Sequence, residues 1–139
     1  MVNKLNSQTP QVNIYSDSVV SFSGEIVSAI TRSLTDHHLF PAEFEIDVNF
    51  VDENRMRELN RSFRDRDYAT DVLSFGQFED FINNRPKGVK VPIMLGDLVL
   101  CESVIRLEAL EEGKNYKEQL LMLVDHGVKH LIGIHHPED

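Results

Sequence analysis

Only one cysteine, Cys101, stands among 139 residues, so no internal disulfide can form. The fold must then be held by a hydrophobic core or a metal, as suits a reducing cytoplasm. Nowhere do about 18 apolar residues run together, which leaves no candidate membrane-spanning helix. The opening MVNKLNSQTP lacks the basic-then-apolar profile of a signal peptide, so a cytoplasmic location is expected. Positive charge is scarce. Against 23 Asp and Glu there are 14 Lys and Arg, a formal net charge of -9, which disfavours a general polyanion-binding surface and confines any nucleic-acid contact to a local patch. No G-x-S-x-G elbow occurs and Cys101 lies in a strongly apolar segment, so serine and cysteine nucleophiles have little support. Repeats and Ser/Gly linkers are absent too. What is present, 41% hydrophobic and 27% charged residues, is the composition of one globular domain over residues 1–139.

Periodicity supplies the elements. Val12 and Ile14 alternate as in a short strand, and Phe22, Ile26, Val27, Ile30 and Leu34 recur at helical steps. Phe44, Ile46, Val48 and Phe50 alternate with Glu45, Asp47 and Asn49, which predicts a half-buried strand with one wet face. Asp52 can cap a helix whose stripe is Met56, Leu59 and Phe63. Segments 70–75 and 93–101 read as strands of a hairpin with a long polar loop. Ser103 can cap a helix ending at Gly113, and a last helix runs from about Tyr116 to a stop at Gly133. The order β, α, β, α, β, β, α, α predicts an α+β fold with one small mixed sheet.

Four of the six histidines fall near the C-terminal end, in the run from His126 to His136. His126 and His130 lie four apart, hence on one helix face, where two imidazoles can converge on a metal. Gly133 can turn the chain back with a positive φ, so that His136 delivers a third nitrogen. The spacing H-x3-H-x2-G-x2-H is that of the metzincin zinc site, and three histidines leave a fourth position open, as in catalytic zinc centres. Zinc proteases of this spacing place Glu after the first histidine as general base; here that residue is Gly127.

Three blocks together resemble the YbeY family of metal-dependent, single-strand-specific endoribonucleases. The family's metal motif matches His126, Gly127, His130, Leu131, Gly133 and His136. Its L-N-x-x-[YF]-R element matches Leu59, Asn60, Phe63 and Arg64, followed by T-D-V-L-S-F at Thr70 to Phe75, and its L-G-D-L strand matches Leu95 to Leu98. Two departures stand out: the motif's Leu is Lys129, and its Asp before the last histidine is His135. The resemblance implies one zinc per chain held by His126, His130 and His136, and Arg64 as an RNA-contacting residue needed for activity. It further implies a substrate of single-stranded RNA in small-subunit ribosomal RNA maturation and ribosome quality control, with ribosome association and without DNA or membrane partners. Two rival readings remain at this point: a zinc peptidase-like hydrolase, and a non-catalytic ribosome-associated assembly factor with a structural metal. Asp71 and Asp97, in apolar strand segments, are candidates either for hydrogen bonding or for proton transfer.

Overall fold

The computed structural model describes residues 8–134. Within them the chain runs β1 (Gln11–Tyr15), α1 (Ser23–Asp36), a short 3-10 turn (Pro41–Glu43), β2 (Phe44–Phe50), α2 (Glu53–Arg64), β3 (Val72–Gly76), β4 (Ile93–Leu100), α3 (Glu102–Glu112) and α4 (Tyr116–Leu131). The α+β expectation and its element order hold. The strands form one sheet in the order β1-β2-β4-β3, with β1, β2 and β4 parallel and β3 antiparallel to β4. The β3–β4 hairpin with its long loop is therefore present, and it leaves β3 on an open edge.

The alternation in β2 sorts the two faces of the sheet. Phe44, Ile46 and Val48 are buried in a large core with Ile26, Ile30 and Leu34 of α1 and Leu120, Val124 and Val128 of α4. On the opposite face Asn13 of β1 donates to Glu45 at 2.7 Å and to Asp47 at 2.8 Å, and Asn49 donates to Asp97 at 3.3 Å. This is the wet face, and α2 covers only its β3–β4 end through a small second cluster of Met56, Leu73, Val99 and Cys101.

Side-chain caps start two of the four helices. Asp52 accepts from the Arg55 N–H at 2.8 Å and so starts α2 as expected. Asn115 does the same for α4 through the Glu118 N–H. The cap expected at Ser103 is not formed; α3 begins at Glu102, with Cys101 in the N-cap position and no side-chain cap bond. The reason is positional. The Cys101 N–H still donates to the Asp71 carbonyl, so β4 passes into the helix without a spare residue.

A bulge in β4 separates Met94 from Gly96 opposite consecutive residues of β2. Gly96 has φ +144°, and a Cβ there would lie 2.2 Å from the Phe75 carbonyl oxygen. Only glycine fits that approach.

A cleft along the sheet edge

The helix that carries two of the expected ligands is set by its inner face. Leu120, Leu123, Val124, Gly127, Val128 and Leu131 of α4 are buried at three- and four-residue steps. Gly127 brings the helix close to the sheet: an added Cβ would lie 2.7 Å from Leu98 Cδ2 and 3.2 Å from Ser74 Oγ. Position 127 thus points at strands, and a glutamate there would be directed into the core. This gives the protease-type base no place and counts against the peptidase reading.

His126 and His130, flanking that glycine on the helix, are half-buried, and their Nε2 atoms stand 3.2 Å apart, the rings tilted by 63°. Two ligands on a tetrahedral zinc with bonds of about 2.0–2.1 Å stand roughly 3.3–3.4 Å apart, so this pair fits the spacing with almost no adjustment. Neutral imidazole nitrogens are also the donors zinc prefers alongside thiolate. After His130 the helix closes as Gly133 was expected to make it close. Gly133 has φ +96°, its N–H donates to the His130 carbonyl at 3.1 Å, and the Ile134 N–H donates to the Lys129 carbonyl at 2.8 Å, the paired bonds of a Schellman ending. His135 and His136 lie outside the described residues, and among the described residues no third His, Cys, Asp or Glu joins the pair. Lys129, the departure from the family motif, pairs with Asp125 one turn earlier at 2.8 Å and is thereby directed at α1, where Ser33 donates to the same carboxylate.

The opposite wall belongs to α2. Arg64 occupies its last turn, and Asp65 ends the helix in the left-handed conformation at φ 56°. The family-type Asn60 is fully buried and donates to the Tyr68 carbonyl at 2.8 Å, tying the 65–70 loop back against the helix that carries Arg64. Arg55 pairs with Glu58 and Arg57 with Asp67, whereas Arg61, Arg64 and Arg66 form no ion pair among the described residues; of these three only Arg64 lines the cleft. Between the walls lies a cavity of about 650 Å³ lined by Phe63, Arg64, Asp71, Ser74, His126 and His130, with the open edge of β3 as its floor.

The two aspartates separate. Asp71 lines this cavity, its Oδ1 accepting the Val72 N–H at 2.6 Å; Asp97 lies on the other face of the sheet, beside Asn49. Two features had no sequence signal. Phe63, which shares a stripe with the buried Met56, is 66% exposed at the mouth of the cavity. Glu108 of α3 has a buried Oε1 without a hydrogen-bond partner, and burial first, then the nearby Asp71 carboxylate, push its pKa from the ordinary 4.5 up to about 8.

That shift fixes a pH dependence. A carboxyl raised in the folded state binds a proton the unfolded chain gives up, so its stabilisation is complete below about pH 4.5 and is lost as pH rises through about 8. Glu108→Gln should therefore flatten the decline in stability across about pH 5 to 8.5 and be the more stable chain at the alkaline end. Urea midpoints for both proteins check this; parallel pH profiles would refute it.

Known proteins are similar to this chain in sequence and in fold. A family model described as Endoribonuclease YbeY matches residues 5–139. A protein named Endoribonuclease YbeY from Stenotrophomonas maltophilia is 44% identical over 97 residues, 70% of this chain and 58% of that protein. One of the same name from Xanthomonas oryzae is 38% identical over 122 residues, 88% of this chain and 70% of its own length. The solution structure of TM1509 from Thermotoga maritima, 23% identical, superposes with a TM-score of 0.56 over 93% of this chain and 77% of that one, which bears on the fold alone. The chain thus spans between 58% and 70% of the length of these two curated relatives. Among the described residues no helix is long and apolar enough to cross a membrane. With the family match covering nearly the whole chain and sequence relatives on both sides of 40% identity, the protein belongs to the YbeY family.

Proposed function

We propose that this chain is a zinc-dependent endoribonuclease that cuts single-stranded RNA, acting in the cytoplasm on small-subunit ribosomal RNA during maturation and ribosome quality control. The observation that carries the reading is the pairing, across one cleft, of two histidine nitrogens at 3.2 Å with the carboxylate-free Arg64. His126 and His130 would hold the metal with His136 as third ligand, leaving a position open. Bound there, zinc supplies a Lewis acid for the phosphodiester and a nucleophile at neutral pH. Arg64 grips a non-bridging phosphate oxygen pair with its planar fork and offsets charge that builds on the phosphorus. The Ser74 hydroxyl, also in the lining, can donate a hydrogen bond to the same phosphate.

Purified protein that has not met a nickel column should contain close to one zinc per chain and cleave single-stranded RNA. Chelation should stop cleavage and zinc should restore it. Bound zinc without cleavage would favour the assembly-factor reading instead. Arg64→Ala should cut turnover at least about 100-fold while shifting stability by less than about 1 kcal/mol, because the side chain is exposed at a helix end. A stability collapse with unchanged activity per folded molecule would make Arg64 structural.

A further inference from the structure

The cleft does not end at Phe63. Phe63 of α2 and Phe75 of β3 meet edge to face, 5.0 Å between ring centroids and 66° between planes. Both rings line the histidine cavity, and both also line a second cavity of about 320 Å³ on the wet face of the sheet. The pair is therefore a wall shared by two compartments. In the second, Asp97 is the direct cross-strand partner of Phe75, and Asn49 holds one of its oxygens at 3.3 Å. Arg55 stands at the rim.

We infer that the Phe63–Phe75 wall and the Asp97 cavity form a base-binding subsite for an unpaired nucleotide next to the phosphodiester that is cut, with a preference for guanine. The inference rests on the endoribonuclease reading and extends it to substrate choice. Two observations carry it, the exposed Phe63 at the cleft and the Asp97 carboxylate in the cavity beyond. A phenylalanine that leaves 66% of its surface in water beside Arg64, which has no ion pair among the described residues, offers a π-face where a strand whose phosphate reaches Arg64 must pass. Base-on-aromatic stacking needs an unstacked base, so the wall discriminates against duplexes without reading sequence. Beyond the wall the recognising group is a carboxylate, which accepts and cannot donate. Guanine presents two adjacent donors, N1–H and the exocyclic amine, to such a group, whereas uracil presents one. A carboxylate would repel phosphate, so the second cavity suits a base and not the backbone.

The test uses the whole chain loaded with zinc and a single-stranded oligonucleotide that it cuts, carrying in turn guanine, uracil or an abasic residue on either side of the cut bond. Phe63→Ala should raise KM about 5- to 100-fold with kcat little changed, as expected for the loss of one stacked base. Phe63→Trp should restore it. The abasic substrate should cost the wild type a similar factor and cost the Phe63→Ala chain nothing further. Asp97→Asn should lower the guanine-to-uracil preference. Equal KM for wild type and Phe63→Ala, or abasic and Phe63→Ala losses that multiply, would overturn the subsite. Because the chain contains no tryptophan, Phe63→Trp also gives a single tryptophan, excitable apart from the tyrosines, whose quenching by the oligonucleotide reports stacking without turnover. Quenching with no RNA cleavage by any zinc-loaded chain would sustain the subsite and sink the nuclease reading. Cleavage with neither quenching nor a Phe63-dependent KM would do the reverse.

Discussion

A His130→Ala chain should fold, bind essentially no zinc and cleave no RNA above background. The two nitrogens 3.2 Å apart are one edge of the expected coordination tetrahedron, and removing either leaves one histidine on the helix and at most two of the three expected ligands. Folding survives because α4 is anchored elsewhere, by Leu120, Leu123, Val124, Val128 and Leu131 on its inner face, whereas His130 is only half-buried. The proper comparison is therefore with metal-free wild type, since zinc bound to the native state alone raises apparent stability by mass action. Against that reference the midpoint should move by no more than about 1 kcal/mol. Elemental analysis of both proteins, with a cleavage assay on the same samples, decides the point. Full zinc stoichiometry in the variant would remove His130 from the ligand set.

The largest effect on stability should come from Gly96→Ala. A methyl at this position would stand 2.2 Å from the Phe75 carbonyl oxygen and 3.0 Å from both Gly76 Cα and Leu131 Cδ2, with φ at +144° where alanine is strained. Two of those neighbours are backbone atoms of the paired strand and cannot rotate away. A loss of at least about 3 kcal/mol is expected, from strain and displaced packing together. Gly24→Ala in the first turn of α1 is the control: nothing lies within 4 Å of its added methyl, and the change should be neutral or slightly stabilising. Urea unfolding of the two variants separates the cases. A Gly96→Ala chain within 1 kcal/mol of wild type would mean that the bulge relaxes freely.

Local chemistry was readable in advance and long-range placement was not. The alternation of Phe44 to Phe50, the Asp52 cap and the glycine ending at Gly133 each depend on neighbours within a few residues, and each is found. The His126–His130 pair is of the same kind, one helical turn carrying its own geometry. Strand order β1-β2-β4-β3 depends on which apolar faces meet across about 20 to 50 residues, and no periodicity encodes it. For the same reason Phe63 could be assigned to a stripe but not to a cavity mouth: Met56, two turns away on that stripe, is buried over both β3 and β4, whereas Phe63 meets only Phe75 on the edge strand β3. Glu108 gave no signal because its burial comes from packing of α3 near Asp71, remote in sequence. Ser103 shows the converse, a sound local preference overruled by the backbone bond from Cys101 to Asp71.

The walls of the cleft are unequally rooted. Seven residues of α4 are buried, but only Met56 and Asn60 of α2 are. Partial openings draw on segments with few buried contacts, so α2 can lift from the sheet at a free energy well below that of global unfolding. Arg64 and Phe63 then depart together, while the histidine pair stays with the larger core. On warming, Arg64 and the aromatic wall should be lost first, leaving a population that keeps the histidine-bearing helix but lacks the opposite wall of the cleft.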